Sequence, residues 1–83
     1  MSKKIPKYIY YLFWDVNISN IDINQHASFI IRRVLDYGDA KAINWLRRNY
    51  PEELIIGVVK NKRGLLPKTI TFWNRYYKLK SDS

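Results

Sequence analysis

Residues that typically begin or end helices divide the chain into short segments, and this division constrains the fold more than any other feature. Gly38 is followed at once by Asp39, Pro51 precedes two glutamates and an apolar stretch, and Gly64 comes three residues before Pro67. Glycine commonly follows the last turn of a helix, aspartate caps the first turn, and proline fits the first helical position. The sequence therefore predicts short helices that are joined by tight turns.

The clearest predicted helix lies between a cap candidate at Asp22 or Asn24 and the closing Gly38. Its apolar residues recur at helical spacing and form one stripe: Ala27, Ile30, Ile31, Val34 and Leu35. With about 100° of rotation per residue, Phe29 lies away from that stripe and near Arg33. We expect Phe29 either to be covered by the N-terminal segment or to be exposed for a partner.

Two further helices follow. The first begins at Asp39, ends at Tyr50, and carries an apolar face: Ala42, Ile43, Leu46 and Tyr50. The next has Pro51 at its first position, acidic residues in its first turn, and basic residues at its far end, as the helix dipole favours. β-Branched residues surround Gly57 and favour a strand instead. The capping pattern at both ends favours a helix.

A fourth helix is predicted from Pro67 onward. Leu66, Ile70, Trp73 and Tyr77 fall on one apolar face. The sequence thus predicts an all-α, compact four-helix domain. Its last two helices, joined by a turn that contains Gly64, match the layout of a helix-turn-helix pair. Any two packed helices joined by a glycine turn resemble this motif, so the pattern alone leaves both interpretations open.

The N-terminal segment is rich in tyrosine and β-branched residues. A strand is less favoured than an aromatic arm or a short helix, because the chain offers few pairing partners. We therefore expect a single domain over residues 1–83, with an N-terminal arm at 1–12, a helical body at 13–79 and a flexible tail at 80–83. The chain has no cysteine, so apolar side chains must build the core.

Residues that could carry catalysis are scarce. The one histidine, His26, has no cysteine or carboxylate at a spacing typical of metal ligands, and capping or packing explains it better. No two carboxylates form an acid–base pair of the kind that hydrolases use. The sequence therefore predicts a protein that is not an enzyme and that binds neither a cofactor nor a metal.

Positive charge is the strongest compositional feature. Fifteen Lys and Arg face seven Asp and Glu, which gives a net charge of +8, and such an excess favours DNA, RNA or an acidic protein surface. We predict that nucleic acid is contacted by residues of the last two helices and the turn between them: Lys60, Lys62, Arg63, Lys68, Thr69, Thr71, Arg75 and Lys78. The competing interpretation is a solvated outer face that binds nothing.

Four stretches together resemble a family of small, largely uncharacterised bacterial domains: FWDV (13–16), HASFIIRRVLDYGD (26–39), NWLRRNY (44–50) and LLPKTITFW (65–73). The family pattern reads W-D-V, then H-A-S-F-I-I-x-R-V-L-x-x-G, then R-x-L-x-x-K-T-x-x-F-W. Arg32 stands where an acidic residue is usual in that pattern. Members are often encoded beside a nucleotidyltransferase-like toxin of the abortive-infection type, so the resemblance implies an antitoxin-like role.

We therefore expect a cytoplasmic, non-enzymatic, antitoxin-like protein that contacts a cognate toxin, operator DNA or both. Phe29, Arg33 and Phe72 are the predicted partner-binding residues, because an aromatic beside basic residues fits a protein surface. The protein partner would be the nucleotidyltransferase-like toxin, and no membrane is involved. Two alternatives stay open. One is a nucleic-acid-binding regulator without a toxin, and the other is a small inhibitor or adaptor of phage or mobile-element origin.

Overall fold

The computed structural model describes residues 5–61 and 63–78, and the regular structure in these ranges is entirely helical. Two 3₁₀ helices precede four α-helices: Lys7–Phe13 and Ile18–Asn20, then α1 (Ala27–Tyr37), α2 (Ala40–Asn49), α3 (Glu52–Asn61) and α4 (Pro67–Tyr76). The predicted all-α fold is confirmed. The first 3₁₀ helix agrees with the short-helix alternative for the N-terminal segment, whereas the second 3₁₀ helix was not predicted. The predicted tail and the first four residues of the predicted arm lie outside the described residues.

The N-terminal segment is a 3₁₀ helix and not an extended arm. Ile9, Leu12 and Phe13 are buried in it. Because a 3₁₀ helix turns once every three residues, Ile9 and Leu12 lie on the same side, and the helix packs against α1. The predicted boundary between arm and body, after residue 12, therefore falls inside a helix that contributes to the core.

Helix α1 lies at the centre of the fold, since it packs against α2, α3 and the first 3₁₀ helix. Its predicted apolar stripe is confirmed, with Ile30, Ile31 and Val34 completely buried. The helix begins at Ala27, later than the cap candidates indicated. The Asp22 carboxylate instead accepts backbone N–H bonds from the two residues before His26, namely Asn24 and Gln25, and so stabilises a turn that precedes the helix.

Helix α2 begins as predicted, because the Asp39 carboxylate accepts the backbone N–H of Ala42 at 2.9 Å. Just beyond its end, Tyr50 is buried and donates its hydroxyl hydrogen bond to the carbonyl oxygen of Ile23 at 2.7 Å. This bond joins the end of α2 to the turn before α1. Two distant parts of the chain are thus linked through one buried side chain.

Helices α3 and α4 pack against each other and are joined by a turn that contains Gly64, whose φ is +73°. Such a left-handed backbone conformation favours glycine. The turn is tied to α1 by the backbone N–H of Leu66, which donates to the Asp36 carboxylate at 3.1 Å. Helix α4 then begins at Pro67, as predicted, and directs Trp73 into the core.

Candidate nucleic-acid interface

Helix α4 has one buried side and one exposed side. Thr69 and Trp73 are buried, whereas Lys68, Phe72 and Arg75 are exposed. This division follows from the helical repeat of about 100° per residue, which places the exposed residues opposite the apolar face. Six exposed residues from the end of α3, the turn and α4 to just beyond its end form what we call the basic face. They are Lys60, Arg63, Lys68, Thr71, Arg75 and Lys78.

The basic face contains no carboxylate. The sequence from Leu54 to Ser81 has no Asp or Glu. Among the described residues the ion pair is the one between Arg33 and Asp15, which involves no residue of α3 or α4. The cations of the basic face are therefore free of carboxylate partners within 5–61 and 63–78, and their charges face solvent. Helix α4 itself therefore carries no acidic side chain. Burial and, to a smaller extent, the charge of Glu52 at the start of α3 raise the pKa of Tyr77, which is half-buried just beyond the end of α4.

Two residues of the predicted nucleic-acid set do not contribute to the described face. Thr69 is only 5% exposed, so its side chain lies with the core and not with the exposed cations. The prediction that Thr69 touches a base therefore does not fit its position. Lys62 lies outside the described residues.

An aromatic pair borders the basic face. Phe72 and Tyr76 are 57% and 46% exposed, and their rings are nearly parallel, with centroids 6.2 Å apart and planes at 17°. From α2, Arg47 Nη1 donates to the Tyr76 hydroxyl oxygen at 2.9 Å. Its guanidinium carbon lies 5.7 Å from the centroid of the Tyr76 ring.

Sequence reasoning missed Tyr76 and Arg47. Tyr76 follows Phe72 by four residues, a spacing that places the two side chains next to each other on a helix and so could have indicated the pair. Arg47 comes from another helix, and no local pattern indicates its contact with Tyr76. Only the packing of α2 near α4 brings the two side chains together.

A second cluster forms around Arg33 on α1. Its guanidinium donates to both carboxylate oxygens of Asp15, at 2.8 and 3.2 Å, and to the carbonyl oxygen of Leu12 at 3.0 Å. It also lies 4.6 Å from the Trp14 ring centroid and 4.7 Å from that of Phe29. The hydrogen bond from Arg33 holds the pKa of Asp15 below its usual value.

The predicted partner-binding residues are not brought together as one surface. Phe29 is half-buried and packs against Phe13, with ring centroids 5.9 Å apart. The Arg33 side chain is 14% exposed and fully engaged by Asp15 and the rings. Phe72 lies on another helix and is the exposed member of the three. Phe29 and Arg33 therefore act first as structural residues that join the N-terminal segment to α1.

A groove of about 400 Å³ lies beside the Arg33 cluster, and the exposed Trp14, Tyr37 and Gly64 are part of its lining. Its charged residues balance, with two cations and two anions: Arg32, Arg33, Asp15 and Asp36. Asp15 and Asp36 are already engaged by Arg33 and by the Leu66 amide. This groove has no net charge that would select an anion or a cation.

The described residues offer no assembled metal site, since no three His, Asp or Glu side chains lie together among them. His26 Nδ1 instead accepts the backbone N–H of Asp22 at 2.9 Å, so this ring nitrogen takes part in a turn. No helix within the described ranges is both long and apolar enough to cross a membrane.

Comparison with known families matches residues 9–59 to a family of unknown function, DUF6922. The match runs from the first 3₁₀ helix into α3 and ends before the turn and α4, so it includes the Arg33 cluster but no residue of the basic face. No curated protein and no solved structure matches the chain. Because the match covers more than half of its residues, the protein belongs to the family DUF6922.

Proposed function

We propose that the protein is a non-enzymatic, antitoxin-like binding protein that uses the basic face of α4 to contact DNA, a cognate toxin or both. The observation that carries the proposal is the division of α4. Its cations are exposed on one side with no carboxylate near them in the sequence, and Trp73 anchors the other side in the core. Such a surface attracts polyanions and acidic protein faces alike.

For DNA, α3, the Gly64 turn and α4 would act as a helix-turn-helix-like pair. Lys68 and Thr71 lie in the first half of α4, where recognition helices contact base edges. Arg63 in the turn and Arg75 further along α4 are exposed and would contact phosphates. By binding its operator, a cytoplasmic antitoxin of this kind would repress transcription of the gene that encodes it.

For the toxin, the support is the resemblance to domains that are encoded beside nucleotidyltransferase-like toxins, together with the exposure of Phe72. An aromatic ring that is 57% exposed among cations is a fitting anchor for an acidic protein surface. The same feature supports the alternative of a small inhibitor or adaptor. That alternative predicts no binding to nucleic acid even at low salt.

The DNA part is tested by measuring the affinity for duplex DNA between about 50 and 200 mM salt. If the five described cations of the basic face each contact a phosphate, the slope of log K against log salt is about −4 to −5. The double change Lys68→Glu and Arg75→Glu should abolish binding. The double change Lys41→Glu and Arg48→Glu, which reverses two exposed charges on α2, is the matched control and should weaken binding much less.

The toxin part is tested by co-expression with the product of the adjacent gene. The proposal expects that product to be toxic alone, to be neutralised by this protein, and to co-purify with it. A harmless product that does not co-purify overturns the antitoxin role. Failure of both experiments, with no duplex binding and no toxin, overturns the proposed function as a whole.

A further inference from the structure

We propose that Phe72 and Tyr76 bind unpaired bases, so that the basic face of α4 holds single-stranded DNA. This inference rests on the proposed function, because it uses the same face, and it adds single-stranded DNA as a ligand that this face binds more tightly than a duplex. Proteins that bind single strands combine cations that follow the backbone with aromatic side chains on which bases stack. Helix α4 carries both features side by side.

The aromatic rings are placed where a ligand could reach them. Phe72 is the more exposed of the two at 57%, and it lies next to cations on the helical wheel. With about 100° per residue, Phe72 is separated from Lys68 by about 40° and from Arg75 by about 60°. A base stacked on Phe72 would therefore have its own phosphate within reach of long basic side chains.

The pair is also held in place before any ligand binds. The rings of Phe72 and Tyr76 are nearly parallel, with centroids 6.2 Å apart, and Arg47 donates a hydrogen bond to the Tyr76 hydroxyl from α2. Trp73 supports both rings from the core side, with centroids 5.0 Å from Phe72 and 4.9 Å from Tyr76. A preorganised platform loses little side-chain freedom on binding, which favours affinity.

Charge complementarity identifies the occupant as a polyanion. No Asp or Glu occurs from Leu54 to Ser81. Arg47, which lines a small pocket together with Glu52, adds a cation at the Tyr76 end of the pair. Within a duplex, the faces of the bases are already covered by their neighbours, so an exposed aromatic face has little to stack on. Unpaired bases have free faces, and the combination of rings and cations therefore favours a single strand over a duplex.

The experiment compares three fluorescently labelled probes of about 12 nucleotides, a length within the range that single-strand sites cover: oligothymidylate, a DNA duplex and oligouridylate. Fluorescence anisotropy gives each Kd at low salt. We expect oligothymidylate to bind more tightly than the duplex. Phe72→Ala should weaken oligothymidylate binding by about 5- to 150-fold, the range that loss of one stacked base gives.

Two variants control this measurement. Phe72→Tyr keeps an aromatic ring and should retain most of the affinity. Tyr10→Ala removes an exposed aromatic side chain from the N-terminal 3₁₀ helix and should leave the affinity unchanged. Because Phe72 is exposed, its replacement should leave the fold intact, and the circular dichroism spectrum and melting temperature of each variant check this directly.

The outcomes separate this inference from the proposed function. Tighter binding of the duplex, or a folded Phe72→Ala variant that binds oligothymidylate normally, overturns the inference and leaves the proposed function standing. Loss of toxin binding but not of oligothymidylate binding in Phe72→Ala identifies the pair as a protein anchor and overturns it too. Tighter binding of oligouridylate than of oligothymidylate overturns the assignment to DNA. No binding of any probe at low salt overturns both the inference and the DNA part of the proposed function.

Discussion

Asp15 and Arg33 form a two-pronged ion pair that joins the end of the first 3₁₀ helix to α1. The two guanidinium nitrogens lie 2.8 and 3.2 Å from the two carboxylate oxygens. The same guanidinium also contacts the rings of Trp14 and Phe29. These four residues all lie within the stretch that matches the family DUF6922, and they form one structural unit.

The first prediction concerns the contribution of Arg33 to stability. Arg33→Ala should lower the free energy of unfolding by about 2–3 kcal/mol, because hydrogen bonds to a charged group and two ring contacts are lost. Arg33→Lys should recover only part of this loss, since lysine lacks the planar fork. Urea unfolding measures each value.

The control for this prediction is Arg48→Ala, which removes an exposed arginine from α2. A surface change of this kind should alter the free energy of unfolding by no more than about 0.5 kcal/mol. Equal losses in the two alanine variants would mean that the contacts of Arg33 contribute nothing beyond those of an ordinary surface arginine.

The second prediction concerns acid. The hydrogen bond from Arg33 holds the pKa of Asp15 below the usual 3.8, so on acidification the unfolded chain binds this proton before the folded protein does. The stabilisation is therefore complete above pH 3.8 and is lost as the pH falls through the lowered pKa. Asp15→Asn should remove this part of the acid sensitivity. Melting temperatures from about pH 6 down to pH 2 test it, and parallel curves for the two proteins would contradict it.

The third prediction concerns the buried hydroxyl of Tyr50. Tyr50→Phe removes its hydrogen bond to Ile23 and leaves a buried carbonyl oxygen without that donor. We expect a loss of about 1–2 kcal/mol in the free energy of unfolding. Tyr10→Phe, at an exposed tyrosine, is the matched control and should change stability little. If the two variants unfold at the same urea concentration, the buried hydrogen bond makes no net contribution to the free energy of unfolding.

The fourth prediction follows from the same residue at alkaline pH. Burial, with a smaller effect from the charge of Asp22, raises the pKa of Tyr50 from 10.0 to about 12. Between these values the unfolded chain has released the proton and the folded protein has not, so rising pH favours unfolding. The advantage of the natural protein over Tyr50→Phe should thus be complete below pH 10 and shrink as the pH approaches 12. Urea unfolding of both proteins at a series of pH values measures this. A difference in the free energy of unfolding that stays constant from about pH 9 to pH 12 would refute the prediction.

The α-helices could be predicted from sequence because their signals are local. Gly38, Asp39 and Pro67 each act within one turn of their own position. The start of α1 was placed too early because Asp22 can cap a turn as readily as a helix, and only the structure shows which. For the N-terminal segment the sequence left an aromatic arm and a short helix open, because its tyrosines and isoleucines are typical of extended chain. Burial of Ile9 and Leu12 against α1 overrides that preference.

The candidate site was predictable to a similar extent. The helical repeat correctly placed Lys68, Thr71 and Arg75 on the exposed side of α4. The same repeat turns Thr69 about 100° away from Lys68, toward the core, so the prediction that Thr69 contacts a base disagrees with the helical repeat. The contact between Arg47 and Tyr76 depends on how two helices pack, and neither segment contains a pattern that encodes it.

The last prediction is that alanine has opposite effects on stability at two glycines, Gly57 and Gly38. Gly57 lies exposed inside α3, and a Cβ atom there would meet nothing within 4 Å. Gly57→Ala should therefore raise the free energy of unfolding by about 0.5–1 kcal/mol, because alanine loses less backbone freedom in a helix. At Gly38 a Cβ atom would lie 2.6 Å from the carbonyl oxygen of Val34, so the backbone must shift and Gly38→Ala should destabilise the protein. Urea unfolding of both variants measures the two effects, and a destabilising Gly57→Ala would contradict an exposed, helical position for Gly57.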